Sequence, residues 1–75
     1  MELSQREREV ATAVATGQTN VQIGRDLSIA DRTVQSHLRS IFGKWGVSSR
    51  TGVAVLAIRE GLLSLEEAAE RVRHV

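Results

Sequence analysis

The stretch TNVQIGRDLSIADRTVQSHLRSIFGKWG, Thr19 to Gly46, opens on a helix-start signal and sets the chain's only phenylalanine and only tryptophan among its cations. Thr19 followed three residues later by Gln22 is a capping-box pattern. A short helix therefore opens there, presents Val21, Ile23 and Leu27, and stops near Leu27 or Ser28. A second helix is predicted from about Asp31 to Lys44. At about 100° per residue, Val34, Leu38, Ile41 and Trp45 fall in a narrow arc and Phe42 widens it. Arg32, Ser36, Arg39 and Gly43 cluster on the opposite side. Both aromatics thus belong to an inward seam, and the arginines do not share their face.

Two such helices joined by a short turn form a helix-turn-helix, whose second helix can enter the major groove of a duplex. Ile23, Leu27, Ile29 and Val34 stand where the two helices would lock together, and Gly24 permits a close backbone approach. Outside this unit, Ser4 with Glu7 is another capping box, and it opens a first helix from about Gln5 to Thr16 that Gly17 ends. Beyond Gly46, Ser48 or Ser49 caps a fourth helix running to about Glu60, with Gly61 as its stop. The run VAVLAI would suit a buried strand equally well, but signals on both sides favour a helix. Val53, Ala54, Ala57 and Ile58 lie on one side of it, and Gly52, Val55, Leu56 and Arg59 on the other. Two apolar faces ask for two partners. Ser64 and Glu67 open a fifth, terminal helix with Leu65, Ala68 or Ala69, and Val72 at helical spacing.

With 75 residues the chain has room for one domain with a thin core, since a chain of this size buries only about 60–65% of its unfolded surface. It contains no cysteine, which excludes disulfides and thiolate metal sites and points to a cytoplasmic setting. No apolar run reaches the roughly 20 residues needed to span a bilayer, so no membrane role is expected. The net charge of +1 divides unevenly: residues 1–19, 20–50 and 51–75 carry −1, +3 and −1. A basic middle suits a polyanion-facing segment. Catalysis is disfavoured. The only histidines, His37 and His74, have no cysteine, phosphate-binding glycine loop or spaced carboxylate pair to work with.

The stretch from Leu3 to Ile58 resembles the DNA-binding domain of LuxR-type transcription regulators, also called the NarL or GerE type. That family reads approximately L-T-x-R-E-x-E-V, G-x-S-N-x-E-I-A, L-x-I-S-x-x-T-V-K-x-H and K-L-x-V-x-x-R, and the resemblance covers residues 3–63. It implies an all-α fold: a small bundle of four helices whose second and third form the helix-turn-helix, a fourth that dimerises, and a short fifth. On this reading residues 1–63 are the DNA-binding domain and 64–75 an amphipathic helical tail. Relatives commonly carry a phosphoacceptor or ligand-binding domain ahead of this one. No cofactor and no small-molecule ligand is implied here. The implied partners are double-stranded DNA, a second copy of the chain and RNA polymerase.

Position by position, the resemblance places Gln35, Ser36 and Arg39 at base-reading positions. Arginine can fork onto a guanine edge and glutamine onto adenine, and serine adapts to either. Thr19 and Asn20 open the second helix, where free N–H groups and the helix dipole attract phosphate. Thr33, His37, Ser40, Lys44 and Arg50 match positions near the sugar-phosphate backbone, and Arg32 joins them on charge and placement. Each has a plainer use: Thr33 as a helix-start residue, Ser40, Lys44 and Arg50 as ordinary surface groups, and His37 as a half-buried packing residue. Gly52, Val55, Leu56 and Arg59 form the expected dimer face, for which Leu65 and Val72 of the tail compete. Glu7 and Glu9 are assigned capping and ion pairing within the domain.

Four positions depart from the family pattern, which has alanine at Gly24, serine at Ala30, lysine at Gln35 and leucine at Trp45. Ala30 forfeits a capping oxygen unless Ser28 or Asp31 supplies one. Gln35 removes a charge and alters the base preference there. Two rival readings use the same helix-turn-helix: a sigma-factor-like promoter-recognition domain, which has no need of fourth-helix dimers, and a protein-interaction module facing an acidic partner.

Overall fold

Most helices in this chain start at a side chain that the sequence marks as a cap. A computed structural model describes residues 2–73; Met1, His74 and Val75, and with them the end of the expected tail, lie outside the described residues. Among these residues there are five helices and no strand: α1 Gln5–Ala15, α2 Asn20–Leu27, α3 Asp31–Trp45, α4 Arg50–Arg59 and α5 Leu65–Arg73. Ser4 and Glu7 exchange hydrogen bonds at the start of α1, Thr19 and Gln22 at α2, and Ser64 and Glu67 at α5. At α4 the Ser49 hydroxyl accepts the Gly52 N–H. Each bond satisfies a backbone donor that the first turn otherwise leaves open. VAVLAI is helical, so the strand alternative falls.

The start of α3 is the exception. Ala30 has the extended backbone of an N-cap, φ −69° and ψ 153°, with no side-chain bond to the turn that follows. Neither Ser28 nor Asp31 compensates. Ser28 instead ends α2 in the left-handed region at φ 58°, where it is the one non-glycine among the described residues.

α1 occupies the centre, packed against both α3 and α4, while α2 packs against α3. Val10, Ala11, Ile23, Val34, Ile41, Val53 and Ala57 are fully buried between them. Phe42 and Trp45 are half-buried against that core, as the arc predicted. Gly24 is where α2 meets the turn: a Cβ on it would stand 2.7 Å from the Ile29 carbonyl oxygen. The alanine of the family pattern cannot be seated here without moving backbone.

α5 departs from its expected packing. Only Ala68 is buried, while Leu65 and Val72 remain 68% and 51% exposed. The helix runs along the α1 side of the molecule, with Glu67 and Arg71 bordering a groove that Arg8, Thr12, Ile23 and Leu27 also line. Its end reaches the α1–α2 turn, where a Cβ on Gly17 would meet Val72 Cγ2 at 3.2 Å. Helical spacing correctly assigned Leu65 and Val72 to a helix but not to a buried face, because Ala68 is the one buried side chain of that helix. The Val55 side of α4 is left to solvent.

Ala30→Ser should stabilise the domain by about 0.5–1 kcal/mol by restoring the missing cap. Urea unfolding should show a higher midpoint at unchanged slope; an unchanged midpoint would mean that the α3 start is satisfied in another way.

Candidate nucleic-acid interface

With Val34, Leu38 and Ile41 committed to the core, the geometry of a helix leaves α3 only one other face to present. Arg32, Gln35, Ser36, Arg39 and Gly43 are all exposed on it. Thr33 and His37, on its flanks, are half-buried. No hydrogen bond or ion pair within the described chain engages Gln35 or Arg39, so their donors and acceptors are open to an outside partner.

Asn20, from the start of α2, and Arg50, from the start of α4, join Gln35 and Arg39 around one shallow notch floored by Leu38 and Phe42. Four of the expected site residues therefore come together although three helices supply them. Thr19 stands beside the notch as the exposed cap of α2, its hydroxyl accepting the Gln22 N–H. Arg50 does not hang free. Its Nη1 donates to Asn20 Oδ1 at 2.6 Å and its Nη2 to the Gln18 carbonyl oxygen at 2.7 Å.

Ser40 and Lys44 point the other way along α3. Ser40 Oγ donates to Glu7 Oε2 at 2.6 Å and Lys44 Nζ to Glu7 Oε1 at 2.7 Å. The Glu7 side chain is only 7% exposed and that of Lys44 23%. A carboxylate this buried is tolerated because hydrogen bonds and a cation match it. The bond from Lys44, those from Ser40 and the Ser4 N–H, and the Lys44 charge hold the Glu7 carboxyl down at about 2 against burial, which pushes the other way. The expected capping and pairing role of Glu7 is what the structure contains. Its partners on α3 were not foreseen, and for Ser40 and Lys44 the bond to α1 takes up groups expected to face a duplex. Glu9 makes only an exposed 3.6 Å pair with Arg6.

At the other flank, Val55 and Arg59 of α4 are exposed and Leu56 and Gly52 half-buried. Gly52 has a reason to be small inside the protomer, since a Cβ there would stand 2.9 Å from Val47 Cβ. Among the described residues no cluster of histidine and carboxylate groups is arranged to hold a metal ion, and no helix is long and apolar enough to cross a membrane.

A family model described as bacterial regulatory proteins, luxR family, matches residues 1–57. The chain belongs to that family. Several regulators resemble this LuxR-family domain. Transcriptional regulatory protein LiaR of Bacillus subtilis is 42% identical over 62 residues, covering 83% of this chain and 29% of LiaR. Transcriptional regulatory protein YdfI of the same organism is 37% identical over 65 residues, covering 87% and 30%. A probable transcriptional regulatory protein NarL of Mycobacterium tuberculosis is 41% identical over 61 residues, covering 81% and 28%. The chain thus spans under a third of the length of these relatives. No solved structure matches it significantly. Membership makes this a helix-turn-helix domain of the kind that transcription regulators use to bind DNA, and not an enzyme.

Glu7→Gln should destabilise the LuxR-family domain by on the order of 2 kcal/mol at neutral pH, after allowing for the contact of Lys44 with water. A carboxyl whose folded value lies below its unfolded one stabilises at pH above about 4.5, and that contribution is lost as pH falls toward about 2. The gap in unfolding free energy between the variant and the parent should therefore narrow over that interval; a gap independent of pH would show that Glu7 contributes by packing alone.

Proposed function

We propose that the domain binds double-stranded DNA as a transcription regulator, with α3 lying in the major groove and a second copy joined through α4. The observation that carries this is the open outer face of α3, where Gln35, Ser36 and Arg39 are exposed and unengaged on a helix anchored from behind by Val34, Leu38 and Ile41. A helix held on one side and equipped with hydrogen-bonding groups on the other suits base edges in a groove about 12 Å wide.

In this reading Arg39 forks onto a guanine edge, and Gln35 and Ser36 read the neighbouring pairs. Thr19, Asn20, Arg32, Thr33 and His37 set the register against phosphates. Ser40 and Lys44 act mainly through Glu7, by fixing the angle of α3 on α1, and offer phosphate only the donors that remain. The +3 segment of residues 20–50 draws the duplex in without specifying its sequence.

The exposed Val55, at 57%, and the half-buried Leu56 favour a partner on α4. α5 lies elsewhere, so the competitor for that face is absent among the described residues. A two-fold pairing of α4 with its copy would present two α3 helices to successive grooves roughly 10 base pairs apart. RNA polymerase is the further partner expected of a bound regulator.

Arg39→Ala should lower discrimination between preferred and random duplexes by about 1–3 kcal/mol, measured after selecting bound sequences from a random pool. Full discrimination with uniformly weaker binding would reassign Arg39 to phosphate. Leu56→Asp should leave the helical spectrum intact while removing cooperative binding to a two-site duplex; unchanged cooperativity would eliminate the α4 interface.

A further inference from the structure

Arg50 and Asn20 are 30 residues apart in sequence, and each is the first residue of its helix, α4 and α2. The fork of one guanidinium bridges them. One arm takes Asn20 Oδ1 and the other the carbonyl of Gln18, two residues ahead of α2. Because a guanidinium only donates, the Asn20 atom that faces it must be the oxygen. The amide nitrogen, a double donor, is then turned away from Arg50. Both acceptors are neutral, so the bridge leaves the charge of Arg50 uncompensated beside the notch that holds Gln35 and Arg39.

We propose that Arg50 is a positioning residue for duplex binding: its two-armed bridge locks the Asn20 amide with the nitrogen outward, as a phosphate donor, and fixes the start of α2 relative to α4. This rests on the DNA-binding reading above and refines it, since it makes Arg50 act through Asn20 where a direct phosphate contact was expected. An unrestrained amide would present its oxygen to the phosphate as readily as its nitrogen, and the oxygen is repelled. The planar fork is essential to this. A lysine carries the same charge to the same place, but a compact ammonium does not reproduce two parallel donors aimed at two fixed acceptors.

The test uses the 75-residue chain and a fluorescein-labelled duplex of random sequence, titrated at several salt concentrations. Arg50→Lys should weaken binding about tenfold with the salt slope unchanged, because the charge is kept. In an Asn20→Ala background the same change should have less than about a twofold effect, because the group it orients is gone. Full binding by Arg50→Lys, or losses that multiply independently in the double variant, would overturn the proposal. Asn20→Asp guards against a folding defect: it keeps and strengthens the bridge while replacing the donor with an anion, so thermal stability should hold while affinity falls at least about tenfold. Parental affinity in that variant would overturn the proposal as well. Failure of the parent chain to bind any duplex would instead refute the DNA-binding reading itself.

Discussion

In a chain this small, the helix that meets the outside world must also form part of the core, and the burial of Val34, Leu38 and Ile41 where α3 packs on α1 and α2 is the constraint that satisfies both demands. With about 25 cal/mol for each Å² of apolar surface removed from water, three such side chains contribute several kcal/mol in a domain whose net stability is of that order. Their spacing fixes the rotation of α3 about its own axis. Once that rotation is set, Arg32, Gln35, Ser36 and Arg39 have nowhere to go but outward. A patch of polar residues on a loosely held helix would sample many angles; on α3 it is delivered at one.

Local signals made most of the architecture legible. Ser4, Thr19, Ser49 and Ser64 each act within one turn of their own position, so a reader of the sequence sees both the cap and its target. The same holds for the arc of α3 and for Gly24, whose smallness the turn at Ile29 requires. Interactions between helices did not show. Nothing in the spacing of Glu7 and Lys44, 37 residues apart, announces an ion pair, and a capping glutamate ordinarily stays at the surface. The bridge from Arg50 to Asn20 and Gln18 is equally invisible, since its geometry follows from how α2 and α4 meet. Both fall on residues that the sequence nominated for phosphate, and the nominations missed the intramolecular partner.

Leu65 and Val72 show the opposite limit. Their periodicity correctly implies a helix, but periodicity reports only that apolar groups share a side, not that a surface exists to cover them. In α5 Ala68 is buried, while Leu65 and Val72 stay exposed. The α4 face was harder still to read, because Gly52, placed on the expected dimer face, also lies close against Val47 of the same chain.

Glu7 completes the cap of the first helix with one oxygen, Oε1, which the lysine of the third also reaches, and takes the serine of the third with the other. One carboxylate is thus a vertex shared by two elements. A substitution at Glu7 therefore breaks both the cap of the first helix and its tie to the third. On the proposed reading of α3 as the recognition helix, sequence preference is open to retuning from a residue on the opposite side of that helix, at its seat on α1.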